Sequence, residues 1–210
     1  MSTLTELSEA LQKGRLPMIK TLIDKALSEG DSADRILEEG LLCGMSEIGE
    51  KFKTGAVFIP EVMLAAKCMA VGTEQLKPYL ATDDSKAVGT VVIGTVKGDR
   101  HDIGKNLCKL MLEGKGLNVI DLGVNVPAEK FVDEARKNGA DVICASALLT
   151  TTMPEMKRIV ELVNASDLAG KVKVMIGGAP VSQEFCDSAG ADCYTKDAAS
   201  CADAAVRFCD

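Results

Sequence analysis

The chain has 210 residues, a length that suits one large domain or two small ones, and either arrangement can bury a hydrophobic core. Its formal net charge is −7 and its basic residues are scattered, which argues against nucleic-acid binding, because that function needs a concentrated basic face. No segment approaches the roughly 20 apolar residues of a membrane span, and no apolar N-terminal run follows a basic start. We therefore expect neither membrane association nor a signal peptide.

The spacing of the cysteines bears on metal binding and on the cellular compartment of the protein. None of the eight forms a Cys-x-x-Cys pair, and most lie within helical or strand patterns, which disfavours a zinc or iron–sulfur site. We expect reduced core thiols in a cytoplasmic protein. The cysteines are Cys43, Cys68, Cys108, Cys144, Cys186, Cys193, Cys201 and Cys209.

The first 80 residues show helical periodicity only, with apolar residues recurring at spacings of three and four. Four helices joined by short connections predict a four-helix bundle over residues 1–80. These helices are predicted at 4–13, at 17–29 with Pro17 in its first turn, from a cap at Asp31 or Ser32 through Phe52, and from Pro60 onward.

Residues 81–87 are small and polar without periodicity, and we predict that they form a linker. Over residues 88–210 the pattern changes to strands that alternate with helices, which predicts an α/β domain with a doubly wound, five-stranded parallel sheet of Rossmann-like or flavodoxin-like type. The expected strand order is 2-1-3-4-5. The strands are predicted at 88–96, 117–121, 141–146, 172–176 and 192–195, and the helices at 102–115, 127–138, 153–165, 181–189 and 197–208.

The only histidine, His101, follows the first predicted strand in the pattern Asp99-x-His101-x-x-Gly104. Ligands of open α/β sheets bind outside the carboxyl ends of the strands. Neutral imidazole binds metals well, and a carboxylate two residues earlier can hydrogen-bond the second ring nitrogen. Gly104 permits close approach of a bulky ligand. In isolation, the same pattern is more typical of a histidine that caps the following helix or lies in solvent.

Two further motifs follow at the carboxyl ends of later strands, Ser146-Ala147-Leu148 and Gly177-Gly178. Together with the histidine motif they resemble the cobalamin-binding pattern of corrinoid methyl-carrier proteins, which is similar to the cobalamin module of methionine synthase. The segment Val57-Phe58-Ile59-Pro60-Glu61-Val62 resembles the helical cap of the same family. The resemblance therefore spans nearly the whole chain.

The resemblance implies a role for each matching residue. His101 would be the lower axial cobalt ligand in place of the cofactor's dimethylbenzimidazole, Asp99 would hydrogen-bond its ring, and Thr152 stands where methionine synthase has a serine that extends this relay. Ser146, Leu148 and Thr150 would line a slot for the displaced nucleotide tail, and Gly177 and Gly178 would give it room. The implied catalytic residues are His101, Asp99 and Thr152; the implied metal ligand is His101; and the implied cofactor-binding residues are His101, Asp99, Arg100, Asp102, Ile103, Gly104, Ser146, Leu148, Thr150, Gly177, Gly178 and Phe58.

In the cap, Phe58 is the best candidate to cover the reactive cobalt face, with Met45 and Met63 as weaker candidates. The alternative for all three is ordinary bundle core. Asp102 and Lys105 are expected to be solvated residues of the first helical turn, without a part in the chemistry.

The resemblance implies a carrier rather than a complete enzyme. Cobalt(I) of the bound cobalamin would accept a methyl group from an aryl methyl ether, methanol, a methylamine or betaine through a donor-specific methyltransferase. An acceptor methyltransferase would pass the group to tetrahydrofolate or a thiol coenzyme, and a reductive activator would rescue oxidised cobalt. Overall resemblance favours an O-demethylase system slightly; the donor, the acceptor and the oligomeric state stay open.

Three alternatives use the same sequence differently. A cobalamin-dependent sensor or regulator would normally carry an output segment, and a radical mutase subunit would pair with a catalytic barrel. A plain flavodoxin-like domain with another ligand would leave the three motifs as coincidence. Neither a Gly-x-Gly-x-x-Gly nor a Walker-type motif is present to support nucleotide binding.

Overall fold

The computed structural model describes residues 2–79 and 87–209. The chain divides into two compact units, residues 1–86 and residues 87–210. The predicted linker, 81–87, lies outside the described residues except for its last position.

The first unit is helical, as expected. Side-chain caps mark two of the helix starts: Ser2 Oγ accepts from the Thr5 N–H, and Ser32 Oγ from the Arg35 N–H. The predicted third helix is continuous but consists of three pieces, α3, a π-helical turn and α4. The elements are α1 (Thr3–Gln12), α2 (Leu16–Ser28), α3 (Ala33–Arg35), the π-helical segment (Ile36–Leu42), α4 (Cys43–Lys53) and α5 (Ile59–Leu76).

Small residues let these helices pack closely. A Cβ atom on Gly40, in the π-helical segment, would lie 2.7 Å from a methyl carbon of Leu7, and one on Gly44 would lie 3.0 Å from the Ser8 carbonyl oxygen. The third helical rod therefore packs directly on α1 at these two points. Met45 is buried in the core of this unit, whereas Met63 is half exposed, so the core alternative holds for Met45 alone.

The second unit is a five-stranded, all-parallel sheet in the order β2-β1-β3-β4-β5, which confirms the predicted topology. Buried aliphatic side chains of the three central strands form its core, because both faces of such a sheet are covered by helices. The strands are β1 (Thr90–Thr95), β2 (Asn118–Asp121), β3 (Val142–Ser146), β4 (Lys173–Gly177) and β5 (Cys193–Tyr194). The helices are α6 (Ile103–Glu113), α7 (Ala128–Asn138), α8 (Pro154–Asn164), α9 (Gln183–Ala189) and α10 (Ala198–Cys209), and a 3₁₀ turn covers Thr150–Thr152.

Register aligns the ends of the three central strands. Thr95 of β1 pairs with Ser146 of β3, which pairs with Gly177 of β4. The loops that carry the three sequence motifs therefore leave the sheet side by side at one edge. In the described part of the chain, no helix is both long and apolar enough to cross a membrane.

The structure corrects the expectation for Lys105. Its side chain is buried, not solvated, and its ammonium donates to both carboxylate oxygens of Asp121, at 2.7 and 2.8 Å, and to Asn106 Oδ1 at 2.7 Å. A buried ammonium needs such partners because desolvation disfavours an unpaired charge. The ion pair ties the first turn of α6, directly after Gly104, to the end of β2.

Candidate functional site

The centre of the site is the carboxylate of Asp99, which is fully buried in the loop between β1 and α6. Oδ1 accepts from the backbone N–H of His101 at 3.0 Å and lies 2.6 Å from His101 Nδ1. Oδ2 accepts from the Leu148 and Leu149 N–H groups at 2.7 and 3.1 Å, and from the Thr152 hydroxyl at 3.2 Å. The carboxylate thus joins the loop after β1 to the loop after β3.

Burial by itself would raise the pKa of Asp99, but the hydrogen bonds from the His101, Leu148 and Leu149 backbone N–H groups and from the His101 ring outweigh it. They hold the pKa of this carboxyl well below its ordinary value. Asp99 is therefore a carboxylate, which can only accept hydrogen bonds.

An accepting carboxylate fixes the tautomer of His101. In the neutral ring, the hydrogen lies on Nδ1, where it is donated to Asp99, and Nε2 keeps its lone pair. The side chain of His101 is 52% exposed. The sequence placed a carboxylate and an imidazole together, and the structure presents an oriented imidazole whose second nitrogen is suited to bind a metal.

Thr152, which stands where the resemblance implied a hydroxyl that extends the relay, contacts this carboxylate. Its hydroxyl lies 3.2 Å from Asp99 Oδ2 and 2.8 Å from the Leu149 carbonyl oxygen. A hydroxyl has one proton to donate, so these two acceptors share it. The contact to Asp99 is the longer of the two, and Thr152 is thus the weakest of the five donors to this carboxylate.

The remaining predicted residues of the second unit lie along the same edge. Arg100 and Asp102 are exposed in the loop after β1, and the pattern continues into α6 with Ile103 and Gly104. Ser146 ends β3, Leu148 follows it, and Thr150 begins the 3₁₀ turn. Gly177 ends β4 and Gly178 follows.

The three motif glycines differ in what surrounds them. A Cβ atom on Gly104 would meet nothing within 4 Å, and one on Gly177 would meet only the Thr195 carbonyl oxygen, at an ordinary 3.6 Å. A Cβ atom on Gly178 would lie 1.8 Å from the Ala147 carbonyl oxygen, and its φ of +137° is unfavourable for other residues. Gly178 is therefore required by the protein itself, while Gly104 and Gly177 leave room for a ligand.

Sequence reasoning missed three residues of this edge. Asn125, in the loop after β2, donates its backbone N–H to the Asp99 carbonyl oxygen at 2.8 Å, and its Oδ1 accepts from the Gly98 N–H at 2.7 Å. Val124 and Leu149 are exposed apolar side chains in the loops that bind Asp99. The only sequence signal was the segment Gly123-Val-Asn125, which is typical of a turn.

These features suit a corrinoid. Four exposed apolar side chains near His101 suit a large, partly apolar ring: Ile103 at the start of α6, and Val124, Leu148 and Leu149 in the loops after β2 and β3. In residues 2–79 and 87–209, no group of three or more His, Cys, Asp and Glu side chains is placed to hold a metal ion. One oriented imidazole fits a metal that arrives with its other ligands supplied by a macrocycle.

Phe58 lies in the helical unit, directly before α5. Its backbone N–H donates to Glu61 Oε2 at 2.7 Å, and its side chain is 68% exposed. The ring is therefore not part of the bundle core.

Comparison with known proteins identifies the family. A family model described as a B12 binding domain matches residues 89–206, and a second model with the same description matches residues 3–77. The chain is 42% identical over 196 residues to dimethylamine corrinoid protein 1 of Methanosarcina acetivorans, covering 93% of this chain and 92% of that protein.

Two solved structures agree. The crystal structure of a cobalamin-binding protein from Desulfitobacterium hafniense is 31% identical, with a TM-score of 0.82 and 98% of each chain covered. A chain of the methanol:cobalamin methyltransferase complex of Methanosarcina barkeri is 29% identical, with a TM-score of 0.87, 98% of this chain and 80% of that chain covered. The protein therefore belongs to the family of B12-binding corrinoid proteins, and its cofactor is a corrinoid.

Proposed function

We propose that this protein is a methyl shuttle, in which a bound corrinoid receives a methyl group from a one-carbon donor and delivers it to an acceptor. The observation that supports this proposal most directly is the hydrogen bond between the buried Asp99 carboxylate and Nδ1 of the exposed His101. It prepares one imidazole nitrogen, and only one, as a metal ligand.

When bound, a corrinoid supplies a cobalt centre that can take up and release a methyl group. The protein's residues hold and adjust that centre. His101 would provide the axial nitrogen, and Asp99 would stabilise the ring in its Nδ1–H form. Because the pair shares one proton, charge donated by the imidazole can be balanced through the 2.6 Å hydrogen bond between Nδ1 and the buried Asp99 carboxylate.

The other residues of the edge would hold the rest of the cofactor. Gly104 leaves open space next to the ring ligand, and the exposed side chains of Ile103 and Leu148 offer apolar contact. Ser146, Thr150 and Gly177 are the proposed lining for the nucleotide tail, with Arg100 and Asp102 at the exposed rim. Phe58 is the proposed cover for the reactive face of cobalt, since its ring is not committed to the bundle core.

Separate proteins would activate the donor and the acceptor. The described residues contain no group of three metal-ligating side chains that resembles a donor-activating zinc site. We therefore include a donor-specific methyltransferase, an acceptor methyltransferase for tetrahydrofolate or a thiol coenzyme, and a reductive activator as partners. A similar chain occurs in a methanol:cobalamin methyltransferase complex, which supports the first of these.

The proposed donor is a compound that carries a transferable methyl group. Similar proteins are named for dimethylamine and trimethylamine, and a structural neighbour belongs to a methanol system. Dimethylamine and methanol are therefore the first donors to test, and an aryl methyl ether, which the overall resemblance favoured slightly, is the third.

The test combines binding and transfer. Apoprotein is mixed with hydroxocobalamin, freed of excess ligand by gel filtration and examined by visible absorption, with His101→Ala as the matched variant. The wild type should retain stoichiometric corrinoid, and the two spectra should differ. Reduced, loaded protein is then incubated with donor methyltransferases and isotopically labelled methyl donors. Retention of corrinoid without methyl uptake from any donor would contradict the shuttle and favour a sensor.

A further inference from the structure

Asn125 lies where two loops meet beside His101. Val96, after β1, forms a parallel bridge with Val126, and the Val126 N–H donates to the Thr95 carbonyl oxygen at 2.9 Å. These contacts extend the pairing of β1 with β2 past the ends of both strands. The loop that carries Asp99 therefore runs alongside the loop that carries Asn125.

Asn125 makes two hydrogen bonds to the backbone of the loop after β1, one on each side of the peptide bond that joins Gly98 to Asp99. Its N–H donates to the Asp99 carbonyl oxygen, and its Oδ1 accepts from the Gly98 N–H. Gly98 has a φ of +84° and Asn125 a φ of +56°, a conformation that asparagine tolerates better than most residues. Within the described ranges, Asn125 is the only non-glycine residue with a positive φ.

Asp99 is consequently held from both neighbouring strands. The loop after β2 binds its backbone through Asn125, while the loop after β3 binds its carboxylate through Leu148, Leu149 and Thr152. The loop backbone is also held from β1, because the Asp99 N–H donates to the Val96 carbonyl oxygen at 3.1 Å and the Thr95 hydroxyl donates to the His101 carbonyl oxygen at 2.8 Å. Asn125 adds the contacts from the side of β2, and since His101 is two residues along the same loop, these backbone contacts help to set where its ring lies.

We propose that Asn125 is a positioning residue for His101, acting through the backbone of Gly98 and Asp99, and that its side-chain oxygen is the essential part. This inference rests on the proposed role of His101 as the cobalt ligand. Glycine at 125 keeps the positive φ and the backbone N–H but loses the acceptor for Gly98. Aspartate keeps both the acceptor and tolerance of this conformation. Positioning therefore predicts that Asn125→Gly is defective and Asn125→Asp is not.

The test begins with protein free of corrinoid. Because His101 is the only histidine, labelling all histidine with ¹⁵N reports on this ring alone. In the wild type, NMR should show the Nδ1–H tautomer with slow exchange of that hydrogen. Asn125→Gly should raise the exchange rate about tenfold or more, because the loop opens more often. Asn125→Asp and the control Asn118→Gly, at the exposed other end of β2, should match the wild type.

The second readout is the loaded protein. Asn125→Gly should bind hydroxocobalamin about fivefold more weakly and show a smaller His101-dependent spectral change, with a thermal midpoint near that of the wild type. Wild-type exchange and wild-type spectra in Asn125→Gly would overturn the proposal, and so would unfolding of this variant, because it would show a purely structural role. A wild type that lacks any His101-dependent corrinoid spectrum would instead contradict the proposed function, while the NMR comparison would still test Asn125.

Discussion

Asp99 Oδ1 accepts two hydrogen bonds from the same residue, His101: one from the backbone N–H at 3.0 Å and one from ring Nδ1 at 2.6 Å. The backbone contact closes the two-residue turn, and the ring contact then sets the imidazole orientation. The same carboxylate that shapes the loop therefore also determines which ring nitrogen is available to a metal.

Asp99→Asn should destabilise the protein even without cofactor. An amide can accept on its oxygen only, so at least one of the backbone N–H groups and ring donors at Asp99 would face another donor. We expect a loss of about 3 kcal/mol in the free energy of unfolding, because the Asp99 side chain is fully buried and several of its hydrogen bonds are affected. Urea unfolding of the apoprotein measures this loss.

The control is Asp102→Asn. Asp102 is exposed, and its Oδ2 accepts only the Asn106 side-chain amide in an exposed contact of 3.1 Å. Asp102→Asn should lower the free energy of unfolding by less than about 0.5 kcal/mol. Equal effects of the two substitutions would show that the Asp99 network does not stabilise the loop.

Asp121→Asn should destabilise the protein in a pH-dependent way. Burial alone would raise the pKa of Asp121, but hydrogen bonds from Lys105 and the Gly123 N–H, together with the charges of Lys105 and Lys109, hold it below its ordinary value. A lowered folded-state pKa stabilises the protein above the unfolded-state pKa of about 4, and that contribution is lost as pH falls through the folded-state pKa.

At neutral pH, Asp121→Asn leaves the Lys105 ammonium buried without its carboxylate, at a cost of about 2 kcal/mol after allowance for partial exposure of Asp121. The difference in free energy of unfolding between wild type and variant should shrink as the pH falls from 7 toward 3. Asp133→Asn, in the exposed Arg136 pair on α7, is the control and should cost less than about 0.5 kcal/mol. A difference that stays constant across this range would argue against the ion pair.

Alanine substitutions at Gly178 and Gly104 should have different effects on the stability of the apoprotein. Gly178→Ala places a methyl group 1.8 Å from the Ala147 carbonyl oxygen at a φ of +137°, and should destabilise the apoprotein by roughly 3 kcal/mol or more. Gly104→Ala meets open space in the first turn of α6 and should leave apoprotein stability within about 1 kcal/mol of the wild type.

Gly104→Ala should affect corrinoid binding although it hardly affects stability. A methyl group there would crowd a large ring bound at His101, so we expect affinity for hydroxocobalamin to fall about tenfold in a protein of normal stability. Thermal unfolding and equilibrium binding on the same preparations measure both quantities. Unchanged affinity of Gly104→Ala would place the corrinoid away from this helix start.

Much of this architecture follows from sequence periodicity. The change from helical to β-α repeats predicted both units, and the topology rule for parallel sheets placed His101 and Ser146 at one edge, because β1 and β3 are neighbours. The π-helical segment Ile36–Leu42 was missed, since its apolar spacing also fits an α-helix; packing of Gly40 against Leu7 is visible only in three dimensions.

The misses at the site have a common physical cause. Lys105 is buried because Asp121 lies next to it at the end of β2, a contact that depends on strand register and not on sequence spacing. Asn125 binds the backbone of Gly98 and Asp99, which no side-chain motif records. The predicted role of Gly178 in making room for a ligand stays a prediction; the additional requirement set by the carbonyl oxygen of Ala147 depends on a contact between two loops that sequence spacing does not show.

Binding of cobalt by His101 can be tested directly because His101 is the single histidine of the chain. Protein labelled with ¹⁵N only at histidine is loaded with cobalamin, reduced to the paramagnetic cobalt(II) state and examined by electron paramagnetic resonance. Coordination by His101 predicts that the axial nitrogen splitting changes from a triplet in unlabelled protein to a doublet in labelled protein. A triplet that persists after labelling would show that the cofactor's own base remains on cobalt, and would contradict His101 as the ligand.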